Sequence, residues 1–248
     1  MSAVRLPAND PRTLARDIPG FFDALFPQLV PGIVAHLNRK SIALVGLEPV
    51  SQEMISASGL QHAMLFELAV AVSEQLINGR SVNWPDALSV AWERQRRHFD
   101  ARHPLDLTVP DKQIAQRVAD NLYRMLLAIK ADSGGGALEM SPQVPGYEWI
   151  ASSVGDFAVG RTLIEVKCTN KRFSSSDYRQ VVIYWLLSYF GAIEGGKAEW
   201  LRGVLVNPRL NSIVSFSFDE LIRIIAADRS KAELLELFSA MIASRKNN

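Results

Sequence analysis

The chain predicts an α/β fold, a mixed central β-sheet flanked by helices, with a helical amino-terminal half. Three observations carry that expectation. Apolar residues recur at helical spacing through residues 1–133, the run Ser133-Gly134-Gly135-Gly136 then interrupts the chain, and beyond it the pattern changes to strand alternation around one long apolar helix.

Each element has a local reason. The stretch IPGFFDALFPQLVPGIVAHL is helical in pattern but broken at Pro27 and Pro31, because proline removes a backbone donor and clashes with the preceding turn. SGLQHAMLFELAVAVSEQLINGR predicts a helix that stops at Asn78-Gly79. Further helices are expected in VNWPDALSVAWERQRRHF and, started by Pro110-Asp111, in the amphipathic DKQIAQRVADNLYRMLLAIKAD. The three glycines are too few for a long linker, so a helical region at 1–133 is expected to pack against an α/β region at 134–248. There the strands run ALEM, YEWIASS, GDFAV and TLIEVKC. A helix follows, entered through Ser174 to Asp177 with serine as N-cap and aspartate in the first turn, and ended at Gly191 or Gly195-Gly196. LRGVLVN and SIVSFSF, joined by the turn PRLN, complete the strands, and DELIRIIAADRSKAELLELFSAMIASRK closes the chain as a helical segment.

Composition narrows the function classes. With 248 residues, 48% of them hydrophobic, the chain can bury one large or two small cores. No apolar run reaches the length of a membrane span, and MSAVRLPANDPRTLARD lacks the apolar core of a signal peptide, so a cytoplasmic protein without membrane partners is expected. The single cysteine excludes an internal disulfide and a cysteine zinc cluster. A net charge of +1 describes no polycation, so any nucleic-acid contact must come from a local patch. WERQRRHFDARH offers one, with Arg94, Arg96, Arg97, His98, Arg102 and His103, although a solvated helix face explains it as well. Lys171 and Arg172 offer another.

The segment TLIEVKCT places an acid and a lysine in an otherwise apolar strand. Residues two apart share a strand face, so Glu165 and Lys167 point together, while Ile164, Val166 and Cys168 point to the other side. Cys168 is thereby expected to be a buried, inert thiol. Upstream, VGDFAVGR meets Thr162 through Gly160-Arg161, which reads as a two-residue II′ hairpin turn. Centred there, the hairpin sets Asp156 directly across from Glu165, at a Cβ separation of about 4.5–5.5 Å where two acids repel unless a cation lies between them. Carboxylate pairs with water and phosphate oxygens suit Mg²⁺.

Asp156 followed by Glu165-x-Lys167 resembles the PD-(D/E)xK nuclease superfamily, with Gly155 standing where proline usually precedes the first acid. Gln180 and Tyr184, four apart on one face of the helix that follows, resemble the Q-x-x-x-Y motif of its RecB-type subgroup. The resemblance covers residues 135–218 and implies a restriction-endonuclease-like core. It further implies a Mg²⁺- or Mn²⁺-dependent deoxyribonuclease with Asp156, Glu165, Lys167, Gln180 and Tyr184 as its catalytic set. Asp156, Glu165 and the Val166 carbonyl would hold the metal. Members of the subgroup often carry another acid on a helix ahead of the sheet, here Glu67, with His62 nearby; Glu148 is a weaker candidate. DNA is the implied partner, a further protein partner or a second copy is compatible, and anti-phage defence or DNA repair is the implied setting. The alternative is a nuclease-like nucleic-acid-binding or assembly subunit without hydrolysis.

Overall fold

A computed structural model of the protein describes residues 9–17, 20–96, 102 and 104–246. Seven helices come first: α1 (Pro11–Asp17), α2 (Phe21–Leu25), α3 (Pro31–Arg39), α4 (Gln52–Ser56), α5 (His62–Ile77), α6 (Trp84–Gln95) and α7 (Val109–Asp132). Their boundaries follow local chemistry. Pro31 occupies the first turn of α3, Asn78 caps the end of α5, and Thr108 and Asp111 form a reciprocal capping box that starts α7. The short helices α1 and α4 have no counterpart in the sequence expectations.

The strands are β1 (Leu138–Met140), β2 (Gln143–Val144), β3 (Ser153–Val154), β4 (Phe157–Val159) and β5 (Thr162–Val166). Helix α8 (Ser175–Ile193) leads to β6 (Arg202–Asn207) and β7 (Ser212–Ser217), and α9 (Phe218–Ile225) and α10 (Lys231–Lys246) finish the chain. The mixed sheet has the order β1-β4-β5-β6-β7. Only β5 and β6 are parallel, because α8 lies between them as a crossover; the other neighbours run antiparallel.

The β4–β5 hairpin has the expected register, with Val159 opposite Thr162 and Phe157 opposite Ile164. Gly160 sits at φ 55° in the turn, a conformation glycine adopts without steric cost. One expected strand does not form. Of YEWIASS only Ser153 is taken into β3, while Tyr147 to Ile150 make a tight turn closed by reciprocal backbone bonds. Its aromatic residues are drawn to α10 instead: the Tyr147 hydroxyl meets the Ser239 hydroxyl at 3.1 Å and the Trp149 indole donates to the Ile242 carbonyl at 3.0 Å. The terminal helical segment also divides. Ala227 and Asp228 take positive φ, and the Glu233 carboxylate accepts from the Ser230 backbone at 2.7 Å, so a capping box restarts the helix.

Helices cover both sheet faces. Phe157, Val159, Ile164, Val166, Val204 and Val206 pack against Leu122, Met125 and Ile129 of α7. Leu163, Leu205, Val214 and Phe216 pack against α8, whose outer side is covered by α1, α2, α9 and α10 through Leu14, Phe21, Leu221 and Phe238. A third apolar cluster joins α5, α6 and α7. Among the described residues no helix is long and apolar enough to cross a membrane.

Candidate active site

Glu165 of β5 and Lys167 just past its end lie under α8. Continuing the ladder by one pair past Phe157 and Ile164 sets Asp156 across from Glu165, and both carboxylates lie on the α8 face with Lys167. Glu165 is 3% exposed. Its Oε1 accepts from the Lys167 ammonium at 2.8 Å and from the Gln180 amide at 2.6 Å, whereas its Oε2 is buried with no hydrogen-bond partner among the described residues. The half-buried Asp156 accepts from the Val166 backbone N–H at 2.7 Å, a bond that ties the end of β5 to the acid opposite.

Gln180 is the hub. It is 4% exposed, and every polar position of its amide is used. The nitrogen donates to Glu165 and to the Tyr184 hydroxyl at 3.3 Å; the oxygen accepts from Lys167 at 3.0 Å and from the Arg16 guanidinium at 3.0 Å. This donor and acceptor arrangement orients the amide, since a flipped group would set its nitrogen against two cations. Tyr184, one turn further along α8, is buried, and burial pushes its hydroxyl pKa well above the ordinary value. It supports Gln180 rather than meeting solvent.

The charges are unbalanced. Burial and then the Glu165 charge push the Asp156 pKa up to about 8. Burial pulls the Lys167 ammonium down, but Glu165 and Asp156 outweigh it and its pKa is raised, so it remains a cation at neutral pH. A carboxyl held at about 8 beside a buried carboxylate oxygen without a donor is a place where one further cation would be stabilised. Two carboxylates and an orphaned oxygen fit Mg²⁺, which takes one or two protein carboxylates and completes its shell with water and phosphate oxygens.

The structure thus brings together Asp156, Glu165, Lys167, Gln180 and Tyr184. Glu67 lies outside that hydrogen-bonded set, yet near enough to Asp156 for its charge to raise the Asp156 pKa. The Glu67 carboxylate lies 3.8 Å from the Arg94 guanidinium, and burial, partly offset by Arg94, raises its pKa. No group of three His, Cys, Asp or Glu close enough to share one metal occurs among the described residues. His62 and Glu148 are exposed. In the basic segment, Arg94 binds Glu74 at 2.8 Å and Arg96 binds Glu93 at 2.8 Å, which neutralises them; Arg97, His98 and His103 lie outside the described residues. Lys171 and Arg172 are exposed just beyond β5. Cys168 packs against the cluster of α5, α6 and α7, on the side opposite Lys167, and burial pushes its thiol up to about 12.

Sequence reasoning missed α1. This helix packs along α8 and delivers Arg16 to Gln180, while Arg12, held by Asp10 at 2.7 Å, lies near enough to Glu165 to feel its charge. The available signal was PRTLAR, two arginines four apart and hence on one helical face. Comparison of the chain with protein-family models, with curated proteins and with solved structures gives no match.

Proposed function

We propose that the protein is a metal-dependent nuclease that hydrolyses phosphodiester bonds in DNA, built on a restriction-endonuclease-like core. The observation that carries this reading is the buried Glu165, whose Oε2 has no donor among the described residues, set across the hairpin from Asp156 and bound through its other oxygen to Lys167. Asp156 and Glu165 would hold Mg²⁺ or Mn²⁺, with the Val166 carbonyl as a further ligand. A bound divalent ion supplies a water of lowered pKa and neutralises phosphate charge.

The chain's own groups do the rest. Lys167 has a raised pKa and stays protonated, so it acts by stabilising negative charge developing on the phosphate and not as a proton acceptor. Gln180 holds the Lys167 ammonium and the Glu165 carboxylate in one plane of contacts, and Tyr184 fixes Gln180. Arg16, exposed at its outer edge, is the group placed to meet a phosphate of the backbone. Anti-phage defence or DNA repair in the cytoplasm is the setting the resemblance implies.

The test is cleavage of linear and circular duplex DNA with Mg²⁺, Mn²⁺ or EDTA. Cleavage that needs the divalent ion and is lost in Glu165→Ala and in Lys167→Ala supports the reading, and undiminished cleavage by both variants overturns it. Divalent binding to Asp156 and Glu165 without any cleavage would instead assign a nucleic-acid-binding subunit.

A further inference from the structure

A second feature of α8 lies about 12 Å from Gln180, two turns along the helix at a rise of 1.5 Å per residue. There a cavity of about 460 Å³ opens between the carboxyl-terminal part of α8, the β4–β5 turn and the β2 region. We infer that this cavity binds a small, planar, largely apolar molecule carrying one anionic group. The inference is independent of nuclease activity.

Size and wall chemistry set the class. The volume is that of a small-molecule site and far exceeds a packing defect. Val144, Pro145 and Trp200 supply apolar walls, and Gly191 forms part of the lining where α8 approaches Pro145; a Cβ on Gly191 would lie 3.0 Å from the Pro145 ring. A flat ligand matches flat proline and indole surfaces and a wall without side chains.

A hydrogen-bonding group is left over inside. Ser188 is 7% exposed, lines the cavity, and its hydroxyl has no hydrogen-bond partner among the described residues. Water reaches this hydroxyl through the cavity, so it is a donor and acceptor open to a ligand. At the mouth, Lys197 pairs with Glu139 at 3.4 Å, which leaves the Arg161 guanidinium, bound only to the Glu199 backbone carbonyl at 2.8 Å, without a carboxylate among the described residues. The rim therefore carries one uncompensated positive charge and selects an anion.

Two dyes of one shape test this on the full chain: 8-anilinonaphthalene-1-sulfonate, an apolar aromatic anion, and N-phenyl-1-naphthylamine, its uncharged analogue. Saturable binding of one anionic dye per chain is expected, read by fluorescence titration of the native protein. Ser188→Leu, which projects a bulkier apolar side chain into the cavity and removes its hydroxyl, should weaken both dyes at least tenfold. Arg161→Gln, a surface change that leaves the core intact, should weaken the anion about fivefold and leave the neutral dye unchanged. Absence of saturable binding, or unchanged affinity for both dyes in Ser188→Leu, overturns the site. Equal affinity for the anion in Arg161→Gln and the parent overturns the charge assignment, and this arm decides should Ser188→Leu not fold.

Discussion

The two faces of β5 are buried alike and built differently. Ile164 and Glu165 are neighbours, 0% and 3% exposed. Ile164 enters an apolar layer with Phe157, Val204 and Met125, where burial of each large side chain contributes about 1.5–3 kcal/mol. Glu165 enters the α8 face, where one oxygen is satisfied twice and the other, among the described residues, not at all. Burial of an ion pair under those conditions costs stability, and an aliphatic pair in place of Glu165 and Lys167 would cost less. The α7 face is thus explained by folding alone, whereas the α8 face is not. What the contrast teaches is that depth alone does not tell the two faces apart; a buried, charged carboxylate with one oxygen unpaired among the described residues, opposite a second acid, does.

Exchanging one residue on each face should separate the two roles. Glu165→Ala is expected to lower divalent-dependent cleavage by about a thousandfold, the order of loss seen when a main transition-state contact is removed. Its thermal unfolding midpoint should fall as well, because the variant leaves the Lys167 ammonium and the Gln180 amide without the carboxylate they share, so the readout that separates the faces is cleavage per folded molecule. Ile164→Ala should cost about 2–5 kcal/mol of stability in chemical denaturation while the folded fraction keeps its affinity for the metal. Loss of stability in Glu165→Ala with cleavage intact would reverse the assignment of the faces.

The same contrast explains what the sequence made legible. Alternation alone assigned Ile164 and Val166 to one face and Glu165 and Lys167 to the other, and Gly160 fixed the turn that sets Asp156 across from Glu165. Local capping chemistry placed the start of α8, where Asp177 accepts from Ser174 at 2.7 Å. Contacts distant in sequence were not legible. Arg16 meets Gln180 across 164 residues, on a helix of 7 residues too short for periodicity to reveal. Glu67 stood out as an acid among apolar neighbours, but its partner Arg94 is on a different helix, and spacing carries no information about that pairing. In YEWIASS the β-forming aromatics gave a strand pattern, and packing on α10 overrode it.

Proton linkage sharpens the contrast further, because the α8 face carries the raised Asp156 carboxyl. The Asp156 pKa, pushed up to about 8 by burial and by Glu165, lies above its ordinary value. Between about 4 and 8 the folded metal-free chain therefore keeps a proton that the unfolded chain gives up, and stability falls as pH rises through that window. Metal uptake must release this proton, so Mg²⁺ or Mn²⁺ affinity should rise about tenfold per pH unit up to about 8 and then level off. Calorimetric titration in buffers of different ionisation enthalpy reads the proton directly. Asp156→Asn should flatten the pH dependence of unfolding in EDTA, and an unchanged slope would remove Asp156 as its source.

The smallest effect is expected one residue past Lys167. Cys168 belongs to the apolar side by alternation and packs there against the cluster of α5, α6 and α7, with its thiol pushed up to about 12 by burial. At neutral pH almost none of it is thiolate, and the thiolate is the reactive form. Cys168→Ala should leave cleavage within about twofold and cost about 1 kcal/mol or less for the small volume removed. The parent should react with a thiol-disulfide reagent only on unfolding. Rapid labelling of the folded protein would mean that Cys168 shares the solvent and charge of the Lys167 side, and the partition of this strand into a core face and a chemical face would then fail where it ends.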